Sequence, residues 1–243
     1  PLNVVLTNYP EEQTEWLTAE LPPDHPEYGE RQIPFTRELY IEQEDFMEEP
    51  VKKFFRLAPG KEVRLKNGYI IRCDEVEKDP VSGEILRLLC TYDPQTKSGC
   101  DQSGKKVKGT IHWVSARHAL PVTVRLYEDL LKPRDEEGAG APEAGRGKAA
   151  AEASLARPEG FADPDEEAEE RIAAAAGPEL NPDSLTELTD CLAEPYLAEA
   201  KVGDRFQFLR LGYFIKDKDS TAEKAVFNRI VSLKDSWSKN QKA

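Results

Sequence analysis

Histidine occurs three times in these 243 residues, cysteine four times and methionine once. These scarcities narrow the chemistry before any pattern is sought. No HExxH spacing links His25, His112 and His118, and Cys73, Cys90, Cys100 and Cys191 form no CxxC pair. A zinc site needs closely spaced ligands and a disulfide framework needs paired thiols, so this usage predicts reduced thiols in a cytosolic protein. No apolar run has the length of a membrane span, and no secretory leader is visible. Glycine-rich phosphate loops are missing too: "APGKEV" (58–63) lacks the spacing and the following Ser/Thr of a P-loop. There is no G-x-S-x-G nucleophile turn. The acidic pairs Glu11-Glu12 and Glu48-Glu49 read as solvated ends rather than as an acid/base couple. His112 and His118, close to Trp113 in "IHWVSARHALP", read as hydrogen-bonded histidines at a barrel seam. No catalytic set assembles. The chain opens on Pro1 and has its one methionine at Met47, so it reads as a piece of a longer polypeptide.

Charge is abundant but segregated. The formal net charge is −13. Residues 133–200 hold 5 basic and 18 acidic side chains, whereas residues 201–243 hold 10 and 5. A second basic concentration, "KKFFRLAPGKEVRLKNGYIIR" (52–72), carries seven Lys/Arg and a single acid, Glu62. A uniformly acidic surface would repel a polyanion; a segregated one leaves basic faces for it.

Hydrophobic residues alternate with period two, the signature of half-buried strands. "LPVTVRLY" puts Leu120, Val122, Val124 and Leu126 on one face and Thr123, Arg125 and Tyr127 on the other. "EILRLLCTYD" groups Leu86, Leu88, Cys90 and Tyr92, and "RFQFLRLGYF" turns Phe206 and Phe208 inward with Arg205, Gln207 and Leu209 opposite. Asn67-Gly68, "DPVSG" (79–83) and "DQSGK" (101–105) punctuate these runs as turns. Helical signal is confined to 44–55 and to a segment after Asn181-Pro182-Asp183-Ser184, where Asp183 or Ser184 would cap. The Ala/Gly/Glu/Pro-rich stretch 133–180, with Phe161 as its only aromatic, reads as a flexible insertion carrying a short helix near 165–176. Many short strands with Gly/Pro/Asx turns predict an all-β protein of barrels or sandwiches.

The basic window mixes cations with aromatics. Lys and Arg hold phosphates, while exposed bases are read by Arg forks and by stacking on aromatic planes. In "KEVRLKN", Val63 and Leu65 face the core, which leaves Arg64 and Lys66 together on the other face. Arg56 follows Phe54 and Phe55. The same pattern also fits a solubilised strand edge.

Six segments, in order, resemble the C-terminal region of glutaminyl-tRNA synthetases: "FTRELYIEQEDF" (35–46), "GKEVRLKNGYIIRCDEVEKD" (60–79), "CTYDPQT" (90–96), "KVKGTIHWVSARHALPVTVRLYEDLL" (107–131), "FQFLRLGYF" (206–214) and "STAEKAVFNRIVSLKDSW" (220–237). The resemblance implies two antiparallel β-barrels of the anticodon-binding type, related to a ribosomal-protein fold. A distal barrel over 46–112 would be inserted into a proximal one made from 1–45 and 113–243. It implies a glutamine tRNA anticodon loop as partner, with three bases splayed into separate pockets. Carried over by motif, Arg64 and Lys66 meet the first base, Gln207 the middle base, and Arg56 the third, with Lys53 near that third pocket. Two departures stand out: the family often has Arg where Lys66 stands, and an acidic residue where Leu209 stands. A further middle-base contact of the family comes from an Arg that precedes Pro1.

No HIGH-like or KMSKS-like motif occurs. The resemblance thus implies a fragment without catalytic residues, metal or cofactor of its own. It would be joined to an N-terminal catalytic domain in a class I ligase using ATP and Mg, with neither membrane nor DNA as partner. Two other readings share the pattern: the same barrel pair of a glutamyl-tRNA synthetase, and a non-catalytic barrel that binds other RNA or protein.

Overall fold

A computed structural model describes residues 1–21, 29–132 and 179–233. Among them the protein is all-β, with fourteen strands and only short 3₁₀ turns. In chain order the strands are β1 (Leu2–Leu6), β2 (Glu15–Glu20), β3 (Glu30–Phe35), β4 (Glu38–Ile41), β5 (Glu62–Leu65), β6 (Ile70–Lys78) and β7 (Ile85–Asp93). They continue as β8 (Thr110–Ile111), β9 (Val114–Ser115), β10 (Leu120–Tyr127), β11 (Leu185–Ala193), β12 (Arg205–Phe208), β13 (Gly212–Lys216) and β14 (Ala225–Ser232).

Three sheets result. One has seven strands in the order β8-β5-β6-β7-β1-β4-β9, a second has five in the order β11-β10-β14-β13-β12, and β2 with β3 forms a separate hairpin. Most pairs are antiparallel, but β1 runs parallel to β7, β5 to β8 and β10 to β14. Sheet membership changes between Ser115 and Leu120, so β1 and β4 share a sheet with the strands of 46–112. The expected division at 46 and 112 does not follow the sheets. Alternation says which face of a strand is buried but not which strand it pairs with, and the parallel β1–β7 pairing is the link that alternation leaves open.

Each large sheet has its own core. Val4, Leu6, Phe35, Leu39, Val63, Leu65, Ile71, Leu88 and Trp113 belong to one; Val122, Val124, Leu197, Phe214 and Phe227 belong to the other. The strand parities read from the sequence hold for β5, where Val63 and Leu65 are fully buried, and for β12, where Phe206 and Phe208 pack on the second core. In β7, Leu88 and Cys90 are buried while Leu86 remains exposed. Thr123, expected on the outer face of β10, is buried as well.

The turns behave as their residues require. Asn67 adopts φ +58 between β5 and β6, and Asp79 accepts the N–H groups of Val81 and Ser82 between β6 and β7. Two of the three expected helices are absent. Over 44–55 only Gln43–Asp45 forms a 3₁₀ turn. Pro50 cannot donate within a helix, and Leu57 instead bonds across the loop to two residues, its N–H donating to Asp45 O and its carbonyl accepting Met47 N–H. After Asn181 the chain forms β11. The Asn181 side chain closes a turn by accepting from Asp183 N–H, so the expected cap residues lead into a strand that lies beside β10. The expected helix at 165–176 and most of the 133–180 insertion lie outside the described residues.

Contacts divide the chain into a large unit, Pro1–Leu126 with Glu187 onward, and a small one, Tyr127–Thr186. Within the small unit Leu131 bridges Leu180, Glu128 N–H bonds Ser184 O and Lys132 pairs with Glu179. The candidate site described below belongs to the large unit.

Candidate nucleic-acid interface

The basic window folds as a loop followed by β5, and Gly109 holds the two together. A Cβ on Gly109 would sit 1.6 Å from the Phe55 carbonyl oxygen, so only glycine lets the chain before β8 pass against the 54–56 backbone. The loop leaves Phe55 half-exposed, with Lys108 Nζ 5.1 Å from its ring centroid. Lys53 is exposed and adopts φ +72, a left-handed conformation that costs a side-chain-bearing residue about 1 kcal/mol or more.

Arg64 projects from the outer face of β5, as its parity requires, but it is not loose. Its Nη1 donates to Thr96 O at 2.7 Å and its Nη2 to Asp101 Oδ2 at 2.5 Å. The Ser103 hydroxyl and amide, together with this guanidinium, hold the Asp101 carboxyl below its usual range. Two of the five guanidinium donors are thereby used and the plane is fixed. Lys66 ends the same face, its carbonyl accepting the Trp113 indole N–H at 2.9 Å. That bond ties the end of β5 to a buried aromatic of the first core.

Gln207 occupies the exposed face of β12, opposite Tyr213 on β13. It and Lys66 line one cleft of about 1640 Å³, with Arg31, His112, Glu194 and Tyr213 also on its walls. Arg56, Arg64 and Lys53 lie outside that cleft. Arg56 borders a smaller hollow of about 200 Å³ with Phe54, Phe55 and Lys108. The five residues singled out from sequence are therefore distributed over two concavities and the loop and strand between them.

Arg56 leads to a residue that sequence reasoning missed. Its Nη1 donates to Glu44 O at 3.0 Å and its Nε lies 3.4 Å from Asp45 Oδ1. The same Asp45 carboxylate receives a two-pronged bond from Arg210, Nη1 to Oδ1 at 2.7 Å and Nη2 to Oδ2 at 2.5 Å. Asp45 is fully buried. Arg210 stands in the turn between β12 and β13 at φ +66. Nearby, burial and the Asp45 charge push the Glu42 carboxyl up, against the pull of Arg210. The available signal for Arg210 was its place in the basic segment 201–243, three residues after Gln207; nothing in the sequence marked Asp45 as its partner.

His112 and His118 are both hydrogen-bonded, as expected. His112 Nε2 meets Glu194 Oε1 at 3.2 Å, and His118 Nδ1 meets Ser115 Oγ at 3.2 Å. The ring beside His118 is Trp16 rather than Trp113. Glu194 is squeezed between opposing effects: burial raises its pKa, but the bonds from His112 and Arg31 outweigh it and hold the carboxyl at about 2. Among the described residues no group of three or more His, Cys, Asp or Glu could hold a metal ion, and no helix is long and apolar enough to cross a membrane.

The family described as "tRNA synthetases class I (E and Q), anti-codon binding domain" matches residues 1–93, and a second family model of the same description matches 110–217. The chain is 48% identical over 239 residues to a protein named glutamine–tRNA ligase from Rhodopirellula baltica, covering 98% of this chain and 34% of that relative. Similarly named proteins from Nitrobacter winogradskyi and Clostridium perfringens are 46% and 43% identical over 98% of the chain, which covers 36% and 37% of them. The chain spans about a third of the length of these relatives. The two matches together span 201 of the 243 residues, and the chain belongs to the anticodon-binding domains of the class I tRNA synthetases for E and Q.

Proposed function

We propose that this chain is the part of a cytoplasmic glutamine–tRNA ligase that reads the glutamine anticodon. The observation that carries the reading is that similarity to proteins of that name runs through 98% of the chain while occupying only a third of their length. A domain of this kind supplies recognition. ATP and magnesium would serve chemistry in the remainder of such a ligase, a class I enzyme, and the catalytic domain would be a partner within the same polypeptide.

The geometry suits single-stranded RNA. Unstacked loop bases expose their Watson–Crick edges, and rigid strands that project amides and cations meet those edges at fixed spacing. Gln207 offers a donor and an acceptor on one amide, and Lys66 offers a point charge across the same cleft. Arg64, oriented by Thr96 and Asp101, keeps three donors for a first base. Arg56 and Lys53 complete the set at a third base. Lys66 makes a single-point contact where an arginine would make a planar fork.

The family description covers both E and Q, so a glutamyl-tRNA synthetase is the competing reading. Binding of the chain to glutamine tRNA, glutamate tRNA and anticodon-substituted forms, at two salt concentrations, separates them. Preference for the glutamine tRNA that vanishes with anticodon substitution is the expected result. Preference for the glutamate tRNA would reassign the domain, and indifference to the anticodon would leave only a general RNA- or protein-binding barrel.

A further inference from the structure

Among the described residues Asp45 is a carboxylate with no solvent exposure that serves two arginines from distant segments, Arg56, proposed to read one base, and Arg210, in the turn that follows the strand of Gln207, proposed to read another. Asp45 accepts the two-pronged bond of Arg210 and lies 3.4 Å from the Nε of Arg56. Its backbone carbonyl also accepts Leu57 N–H at 2.9 Å, so one residue fixes the Arg56 loop through both main chain and side chain. On the other side, Arg210 anchors the turn that connects β12 to β13. Leu211 N–H closes that turn onto Phe208 O, and Gln207 stands directly before Phe208.

A buried carboxylate is tolerated only when paired, and paired with a planar fork it has one preferred geometry. Arg210 holds a left-handed backbone that is unfavourable for a residue with a side chain, so the turn keeps this shape because something outside it fixes the guanidinium. We infer that Asp45 is a positioning residue that sets the register between the Arg56 loop and the Gln207 strand, so that discrimination at the middle and third anticodon bases depends on one shared carboxylate. The inference rests on the anticodon-reading function proposed above. Arg64 is held by a different pair, Thr96 and Asp101, and so stands outside this coupling.

The test is Asp45→Asn in the 243-residue chain, with binding measured against RNA stem-loops carrying the glutamine anticodon or single substitutions at each of its three bases. Asn keeps the shape but turns an N–H₂ toward an arginine. Expected is a loss of about tenfold in discrimination at both the middle and third bases, with less than about twofold change at the first and an unchanged salt dependence. In an Arg56→Ala background the added Asp45→Asn change should cost nothing more at the third base and still cost at the middle one. A purely structural role would lower all three positions together. Should Asp45→Asn fail to fold, Arg210→Lys, which keeps the charge and loses the fork, should reproduce the middle-base loss and part of the third. An unaltered chain that discriminates, with variants that discriminate equally well or fail at a single base or at all three, overturns the inference and leaves the proposed function standing. An unaltered chain without anticodon preference overturns both.

Discussion

Arg31 and Glu194 form a two-pronged ion pair, Nε to Oε2 at 2.6 Å and Nη2 to Oε1 at 3.0 Å, joining β3 to the residue that follows β11. Both side chains are largely buried, and His112 completes the site. The folded carboxyl titrates at about 2 against an ordinary value of 4.5. Because the folded pKa lies below the unfolded one, the stabilisation is complete above about pH 4.5 and is lost as the pH falls toward 2. A gap of this size corresponds to roughly 3 kcal/mol. Urea unfolding between pH 7 and pH 3 should show a steep loss in the unaltered chain and a shallower one in Glu194→Gln, which starts from lower stability. Parallel pH profiles for the two proteins would show that the pair contributes no linkage.

The Arg64 guanidinium is oriented by Thr96 O and Asp101 before any ligand arrives. Arg64→Ala should cost about 1–3 kcal/mol of discrimination at one base. Lys52, exposed in the same window, should behave differently. Lys52→Ala should weaken binding evenly across anticodon sequences and flatten the salt dependence by about one charge. Binding isotherms over a salt series distinguish the two behaviours; a uniform loss from Arg64→Ala would remove its base-reading role.

Gly109 passes so close to Phe55 that no side chain fits without moving backbone. Gly109→Ala should destabilise the fold by about 1–3 kcal/mol, the scale of an overpacked core. Because the atom displaced belongs to the loop that carries Arg56, RNA affinity should fall more than stability alone accounts for. Urea midpoints and binding measured on one preparation test this, and an Ala variant equal to the parent in both would refute it.

How much of this was legible in the sequence differs by element. β5 was readable to the residue, because Val63 and Leu65 alternate with Arg64 and Lys66 and a Gly-containing turn follows. The 185–193 segment was not. Its Asn-Pro-Asp-Ser start is equally good as a helix cap and as a side-chain-closed turn, and the lateral partner that decided for a strand, β10, lies some fifty residues earlier across the insertion, a distance given by Asn181 bonding back to Asp129. Arg56 and Gln207 are singled out by motif likeness, whereas the Arg56–Asp45–Arg210 junction needs residues 165 apart to meet. Periodicity carries no information about such a meeting.

The thiols make a separate prediction. Cys73 and Cys90 face each other across β6 and β7, both fully buried, and the hydrogen bond between them and burial push the Cys90 thiol up. Cys100 is exposed, and Cys191 is partly covered with its thiol raised by burial. Since the thiolate is the reacting form, iodoacetamide on the native chain at pH 7.5 should modify Cys100 first, Cys191 slowly and the facing pair only on unfolding. Peptide mass mapping over time reads this order directly, and early labelling of Cys73 or Cys90 would contradict it.

The parallel seating of β1 against β7 has a kinetic consequence. Thr7 bonds Cys90 across 83 residues, and β1 lies in the interior of its sheet rather than at an edge. The β5–β6–β7 meander closes through short turns and β1 can pair with β4 a few tens of residues on, but joining the two needs the β1–β7 contact, whose loop-closure entropy is met before it is rewarded. Until the β1–β7 contact forms, one flank of β7 stays open to unwanted association.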